Sequence, residues 1–149
     1  MISRLIAAGA LAVVVLASGC ASVPMATTGQ DQAAKSYAVK PDKANIYVYR
    51  NEQMGAAIKM PVLLDGRAVG DTAAKTFMLL EVPPGSHTIV SKTENDATLK
   101  VDALAGRNYF VWQEVKMGMM TARSQLHLVD EAQGKAGVAE CNLIQPSPY

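Results

Sequence analysis

Residues 62–92, VLLDGRAVGDTAAKTFMLLEVPPGSHTIVSK, carry the pattern that decides the fold. Val62–Leu64 runs into Asp65-Gly66, a pair that accepts positive φ and so favours a tight hairpin turn, and the chain returns through Arg67–Gly70. Thr76–Val82 is a second apolar run. Pro83-Pro84-Gly85 predicts a turn, because proline presets φ and glycine tolerates positive values. Ser86–Lys92 is then read as the return strand. Short runs of this kind between turn residues predict strands rather than helices.

The same punctuation continues on both sides. Ala44–Asn51 alternates Ile46 and Val48 against Tyr47 and Tyr49. Asn95-Asp96 turns the chain, and Thr98–Asp102 places Leu99 and Val101 on one face and Thr98, Lys100 and Asp102 on the other. Ala105-Gly106-Arg107 turns it again into a long strand, Asn108–Met117. Leu126–Val129 and Val138–Leu143 read as the final strands, with a helical turn over Asp130–Lys135 between them. Seven or eight short strands at this spacing predict a mainly β fold, an antiparallel sandwich or barrel of about 100 residues, read here as an antiparallel β-sandwich with an immunoglobulin-like plan. No alternation of strand and helix is visible, which disfavours a parallel sheet.

The first part of the chain reads differently. Met1–Arg4 is a short positive start, Leu5–Ala17 is small and apolar, and Leu16-Ala17-Ser18-Gly19-Cys20 follows. The apolar run is shorter than the roughly 20 residues of a spanning helix, so it predicts a removable signal peptide over residues 1–19. Ala21–Asp42, rich in Ala, Thr, Ser, Gln and Lys, shows no clean period. Residues 20–43 are therefore expected to form a flexible tether, with a typical reach of roughly 25 Å and room for a short helix near Gln30–Lys35. The β domain is expected over residues 44–145.

Without the leader, 130 residues remain, with 13 Lys plus Arg against 13 Asp plus Glu. A neutral chain offers no phosphate-attracting excess, so nucleic acid is not expected as a partner. The chain has two cysteines, Cys20 and Cys141. If Cys20 is modified, Cys141 has no partner and is best placed in the core.

The Leu16–Cys20 segment resembles the lipobox of bacterial lipoproteins. Ser18 and Gly19 fit the small positions before the cysteine, while Ala17 departs from the leucine preferred there. The resemblance implies cleavage between Gly19 and Cys20, and attachment to Cys20 of a thioether-linked diacylglycerol and an amide-linked acyl chain such as palmitate. Ala21, which is not Asp, resembles an outer-membrane sorting signal and implies the periplasmic face of that membrane. Residues 44–143 resemble the bacterial family called domain of unknown function 2846, through ANIYVYR at 44–50, VLLDG at 62–66, VPPGSH at 82–87, GRNYF at 106–110 and the Gly134–Cys141 ending. The middle is also similar to the PEGA repeat, a β module of bacterial surface proteins, in Asp65-Gly66, Gly70 and Gly85-Ser86-His87. These motifs are turns and core positions, so they imply a fold and no chemistry.

Residues capable of catalysis are few. Ser86 and His87 are adjacent on a strand and face opposite sides, so they form no nucleophile–base pair. His127, between Leu126 and Leu128, reads as an outward residue of an edge strand. His87, His127, Cys141 and the Met117, Met119, Met120 cluster are the donors from which a soft-metal site would be built, but nothing in their spacing links them, so no metal or other cofactor is expected. Asp65, Asp71, Asp96 and Asp130 fall beside turns, where Asp bonds local backbone. Tyr47 and Tyr49 share one strand face, and Phe110 and Trp112 share another. If those strands pair, Tyr47, Tyr49 and Trp112 are a candidate patch for stacking a glycan or docking an envelope protein. The expectation is a lipid-anchored, non-enzymatic envelope module, with a glycan- or peptidoglycan-binding role as the alternative and an envelope enzyme ranked below both.

Overall fold

The computed structural model describes residues 20–147. The predicted leader, with Gly19 of the cleavage site, lies outside the described residues. Mainly β structure is present, in two sheets. One holds five strands in the order β8 (Ala122–Val129), β7 (Asn108–Met117), β1 (Ala44–Arg50), β4 (Thr76–Val82) and β9 (Asn142–Leu143). The other holds four, in the order β3 (Arg67–Thr72), β2 (Met60–Leu64), β5 (Gly85–Lys92) and β6 (Asp96–Ala103). Two helices, α1 (Thr28–Ala34) and α2 (Glu131–Ala139), accompany them.

The Asp65-Gly66 hairpin forms as the sequence predicts. Both residues have positive φ, +50° and +82°, the conformation that matches strand twist in a two-residue turn. The Pro83-Pro84 segment does something else. β4 belongs to the five-stranded sheet and β5 to the four-stranded one, so this turn is a corner between sheets and Ser86–Lys92 is not the partner of Thr76–Val82. β5 pairs instead with β2 and β6.

The expectation of purely antiparallel pairing is corrected. β1 pairs with β7 in parallel and β4 with β9 in parallel, so the five-stranded sheet is mixed. Parallel neighbours need a long crossover, usually a helix. Here the crossover from β1 to β7 consists of strands that visit both sheets, and it leaves no helix pattern in the sequence.

β1 is the centre of its sheet, and all seven of its residues are buried. Ala44, Ile46 and Val48 enter an aliphatic cluster that draws on both sheets, with Val62, Leu64, Ile89 and Val101 facing Leu80, Val111 and Leu126. Tyr47 and Tyr49 point the other way, into an aromatic cluster with Phe77, Phe110, Ala34, Val138 and Leu143. The five-stranded sheet is thus covered on both faces.

The cover on the second face is α2, where a final strand was expected from residue 138. Asp130 caps its N-terminus by accepting from the Gln133 amide at 2.8 Å. Gly134 and Gly137 allow the close approach: a Cβ at Gly134 would lie 2.1 Å from Phe110 Cγ, and one at Gly137 2.1 Å from Tyr49 Cε2. Each glycine costs a helix about 1 kcal/mol relative to alanine, so packing on the aromatic rings, not propensity, holds α2 together.

Candidate functional site

Cys20 is exposed, and the chain after it is not a free tether. The Ala21 amide donates to the Ala56 carbonyl at 2.8 Å, the Ala26 amide to Leu143 O at 3.0 Å, and the Gln145 amide to Pro24 O at 2.8 Å. Met25 bridges Ile144. α1 follows, closed by a capping box between Thr27 and Gln30. Asp31 accepts from the Leu143 amide at 2.7 Å, Lys35 Nζ donates to Cys141 O at 2.6 Å, and the Tyr47 hydroxyl donates to Ala34 O at 2.8 Å. The tether expected over residues 20–43 is corrected accordingly. β9 and the residues after it offer backbone groups along a sheet edge, and the leading segment takes them up.

The candidate patch of Tyr47, Tyr49 and Trp112 is also corrected. β1 and β7 do pair, with Tyr49 opposite Trp112, but Tyr47 and Tyr49 are 0% and 2% exposed. Tyr47 stacks on Phe110 at 5.2 Å between ring centroids. Burial pushes both tyrosine hydroxyls up to about 12. Trp112 is half-buried and stacks on His127 at 5.0 Å. These rings are the second core layer beneath the helices, not a stacking platform. The sequence identified the shared face correctly but not its cover.

His87 lies on β5 and is 8% exposed. Its Nδ1 is 2.6 Å from Asp65 Oδ2, and its Nε2 is 2.7 Å from Pro83 O. Both partners are acceptors, so both ring nitrogens must donate, which makes the ring an imidazolium. Burial opposes that charge, but the Asp65 hydrogen bond, the Pro83 carbonyl and the Asp65 charge outweigh it, and the His87 pKa is raised. Asp65 also accepts from the Thr88 amide at 2.8 Å. Burial raises its pKa, yet His87 and that amide pull harder, and the net shift is downward. One clasp therefore joins the β2–β3 hairpin to the corner between the sheets.

Of the other donors considered for a metal, His127 and Cys141 do not meet His87 or each other. His127 Nε2 is 2.6 Å from Glu114 Oε2 on β7. Cys141 is buried after α2, its Sγ 3.6 Å from Arg50 O and its thiol pushed up to about 12 by desolvation. Among the described residues, no group of three or more His, Cys, Asp or Glu side chains could hold a metal ion. A groove of about 380 Å³ between α1, β4 and the C-terminal residues is aliphatic, and Glu81 is its one charged lining residue.

Several buried polar groups escaped the sequence reading, Arg50 and Gln113 the largest among them. Arg50, wholly buried, donates from Nη1 to Ile58 O at 2.7 Å and from Nη2 to Gly55 O at 2.6 Å, fixing the loop after β1. Gln113, also wholly buried, joins the sheets through Thr72 Oγ1 at 2.5 Å and Ser91 Oγ at 2.7 Å. A charged residue at the end of a strand ordinarily marks solvent, so Arg50 gave no signal. For His87, the Asp-Gly and Pro-Gly-x-His pattern was the signal.

Comparison with known proteins bears on the domain as a whole. The family described as "Protein of unknown function (DUF2846)" matches residues 40–125, from just before β1 into β8. An uncharacterized protein of Haemophilus influenzae is 31% identical over 139 residues, which cover 91% of this chain and 82% of the relative. No solved structure matches.

Proposed function

The chain belongs to the DUF2846 family, and from that premise we propose that it is a lipid-anchored lipoprotein of the cell envelope, acting as a non-enzymatic accessory module. Residues 1–19 are the leader, and Cys20 carries the diacylglycerol and the N-acyl chain. Ala21 after it directs the protein to the periplasmic face of an outer membrane. The observation that carries this reading is the Leu16–Cys20 segment, followed by a fold in which the Ala21 amide is bonded to Ala56 O and Cys20 itself is exposed. The two cysteines play opposite parts: Cys141 is sealed in the core, and Cys20 is open to modification.

Physics makes such an anchor effective. Each buried methylene contributes about 0.8 kcal/mol, so two or three acyl chains hold almost permanently where one holds weakly. Confinement to a surface raises the local concentration of the domain for any protein partner on the same membrane. The histidines are engaged in structural pairs, which favours an accessory role over catalysis. A glycan platform is not pursued, because Tyr47 and Tyr49 are core residues. At finer grain the domain is read as a PEGA-like β-sandwich, since Asp65 and His87, two positions of that pattern, contact each other directly.

Mass spectrometry of the membrane-extracted protein tests the anchor. A chain starting at Cys20 with the mass of its acyl groups is expected, and Cys20→Ala should release the protein from membranes. An intact Met1, or an unmodified thiol at the new terminus, refutes the reading.

A further inference from the structure

Four methionines gather at one end of the domain, the end where the described chain begins. Met117, Met119 and Met120, in and before the β7–β8 turn, are 81%, 93% and 93% exposed, and Met54 in the loop after β1 is 51% exposed. With Ile58 and Val115 they line a single groove. Single exposed apolar residues are ordinary, but a cluster of long, uncharged side chains on adjacent loops calls for an occupant. Towards the opposite end the exposed large apolar residues among those described are two and separate, Leu104 in the β6–β7 turn and Leu128 on β8.

The exposure is built into the fold. Glu94, from the β5–β6 turn, accepts the Met119, Met120 and Thr121 amides at 3.2, 3.0 and 3.0 Å. These three amides, together with Arg123, hold its carboxylate below the usual range. The turn is thus drawn inward by its backbone, and its methionines face out. Met54 is fixed similarly, because Arg50 grips Gly55 O and Ile58 O. Gly55 also seats this loop on the hairpin, where its Cβ would lie 3.1 Å from Val115 Cγ1 and 3.6 Å from Ala122 Cβ.

The occupant follows from where the chain enters. Ala21 bonds Ala56, two residues from Met54, so Cys20 emerges beside the same loop. We propose that this end of the domain rests on the bilayer, with Met54, Met117, Met119 and Met120 seated at the boundary between headgroups and acyl chains, next to the acylated Cys20. The inference rests on the lipid-anchor reading and deepens it: the domain lies against the membrane instead of floating on a leash. Met is suited to this position, being apolar, unbranched and adaptable to an irregular surface.

The test uses the full-length, processed protein reconstituted in phosphatidylethanolamine–phosphatidylglycerol vesicles. Met119→Cys and, as the far-end control, Arg107→Cys each carry a polarity-sensitive dye. Cys141 is buried and Cys20 acylated, so the introduced thiol is the one labelled. The Met119→Cys dye is expected to shift to the blue on vesicles and to lose most of its quenching by aqueous iodide, several-fold more than the Arg107→Cys dye, while nitroxide lipids quench it. An acylated, vesicle-bound protein whose two dyes are equally open to iodide overturns this inference alone. Protection of the Met119→Cys dye that vanishes on dilution at constant lipid identifies a second copy of the chain as the occupant, and also overturns it. A chain recovered without acyl groups overturns the anchor and this inference together.

Discussion

At the end where β1 finishes, Arg50 clasps the carbonyls of Gly55 and Ile58; at the other end, His87 clasps the carbonyl of Pro83 and the carboxylate of Asp65. Both ends are thus tied from within by a cation that reaches oxygen atoms of a turn. They differ in what that cation is. A guanidinium stays charged at every accessible pH, although burial lowers its pKa here. An imidazolium titrates. They differ also in what the tied turns present, methionines at the Arg50 end and Asp65, Gly66 and the short Pro83-Pro84-Gly85 corner at the His87 end. The comparison teaches that a surface loop can display apolar side chains in a fixed arrangement when a buried polar group satisfies its backbone.

Removing the permanent cation should have the largest effect. Arg50→Met keeps the buried stem but removes the guanidinium donor from Ile58 O and leaves Gly55 O with the Ile58 amide at 2.9 Å. Charge-assisted hydrogen bonds contribute roughly 1.5–3 kcal/mol each, so a net loss of about 3 kcal/mol is expected after relief of the desolvation cost. Denaturant unfolding measures it. A midpoint within error of the wild type would show that the loop holds itself.

At the other end, His87→Gln should cost about 1 kcal/mol, because Asp65 is half-exposed and solvent screens the pair. Unfolding midpoints at neutral pH provide the comparison with Arg50→Met, and a larger loss for His87→Gln would reverse the order proposed for the two ends.

The pH dependence should belong to this end. His87 has a folded pKa above its ordinary 6.5, so its contribution is complete below that value and is lost as pH rises through the folded pKa. Asp65 has a folded pKa below 3.8, so its contribution is complete above that value and fades as pH falls through the folded one. Stability from the clasp is therefore greatest between about pH 4 and pH 6.5. Asp65→Asn should flatten the alkaline decline, and a decline that persists unchanged in this variant would assign it to other groups.

The smallest effect is expected for Glu94→Gln, which leaves three amides with one carbonyl acceptor. Hydrogen exchange should quicken at Met119, Met120 and Thr121 with no change in the global midpoint. Unaltered exchange there would mean that Glu94 does not shape the methionine turn.

Much of the core could be read before any coordinate was known. The inward positions Leu99 and Val101, the Asp65-Gly66 turn and the aliphatic face of Ala44–Arg50 all follow from alternation and turn chemistry. The other face of β1 could not be read the same way. Tyr47 and Tyr49 fit equally a displayed aromatic strip and a buried one, and the helix that covers this face, through Gly134 on Phe110 and Gly137 on Tyr49, carries little helical signal. The leading segment is hard to read for a related reason: its polar composition is typical of a linker, and its backbone partners are distant, Ala56 for Ala21 and, more than a hundred residues on, Leu143 and Gln145 for Ala26 and Pro24.

By itself, the sequence determined where most strands and turns lie and where a lipobox-like run ends at Cys20, because those features depend on local backbone preference and on residue types in order. Which strands became neighbours, which face the helices covered, and which loops met Cys20 at one end were decided by the tertiary structure. Those outcomes depend on contacts between segments distant in the chain, where a glycine's missing side chain or a buried guanidinium outweighs local preference.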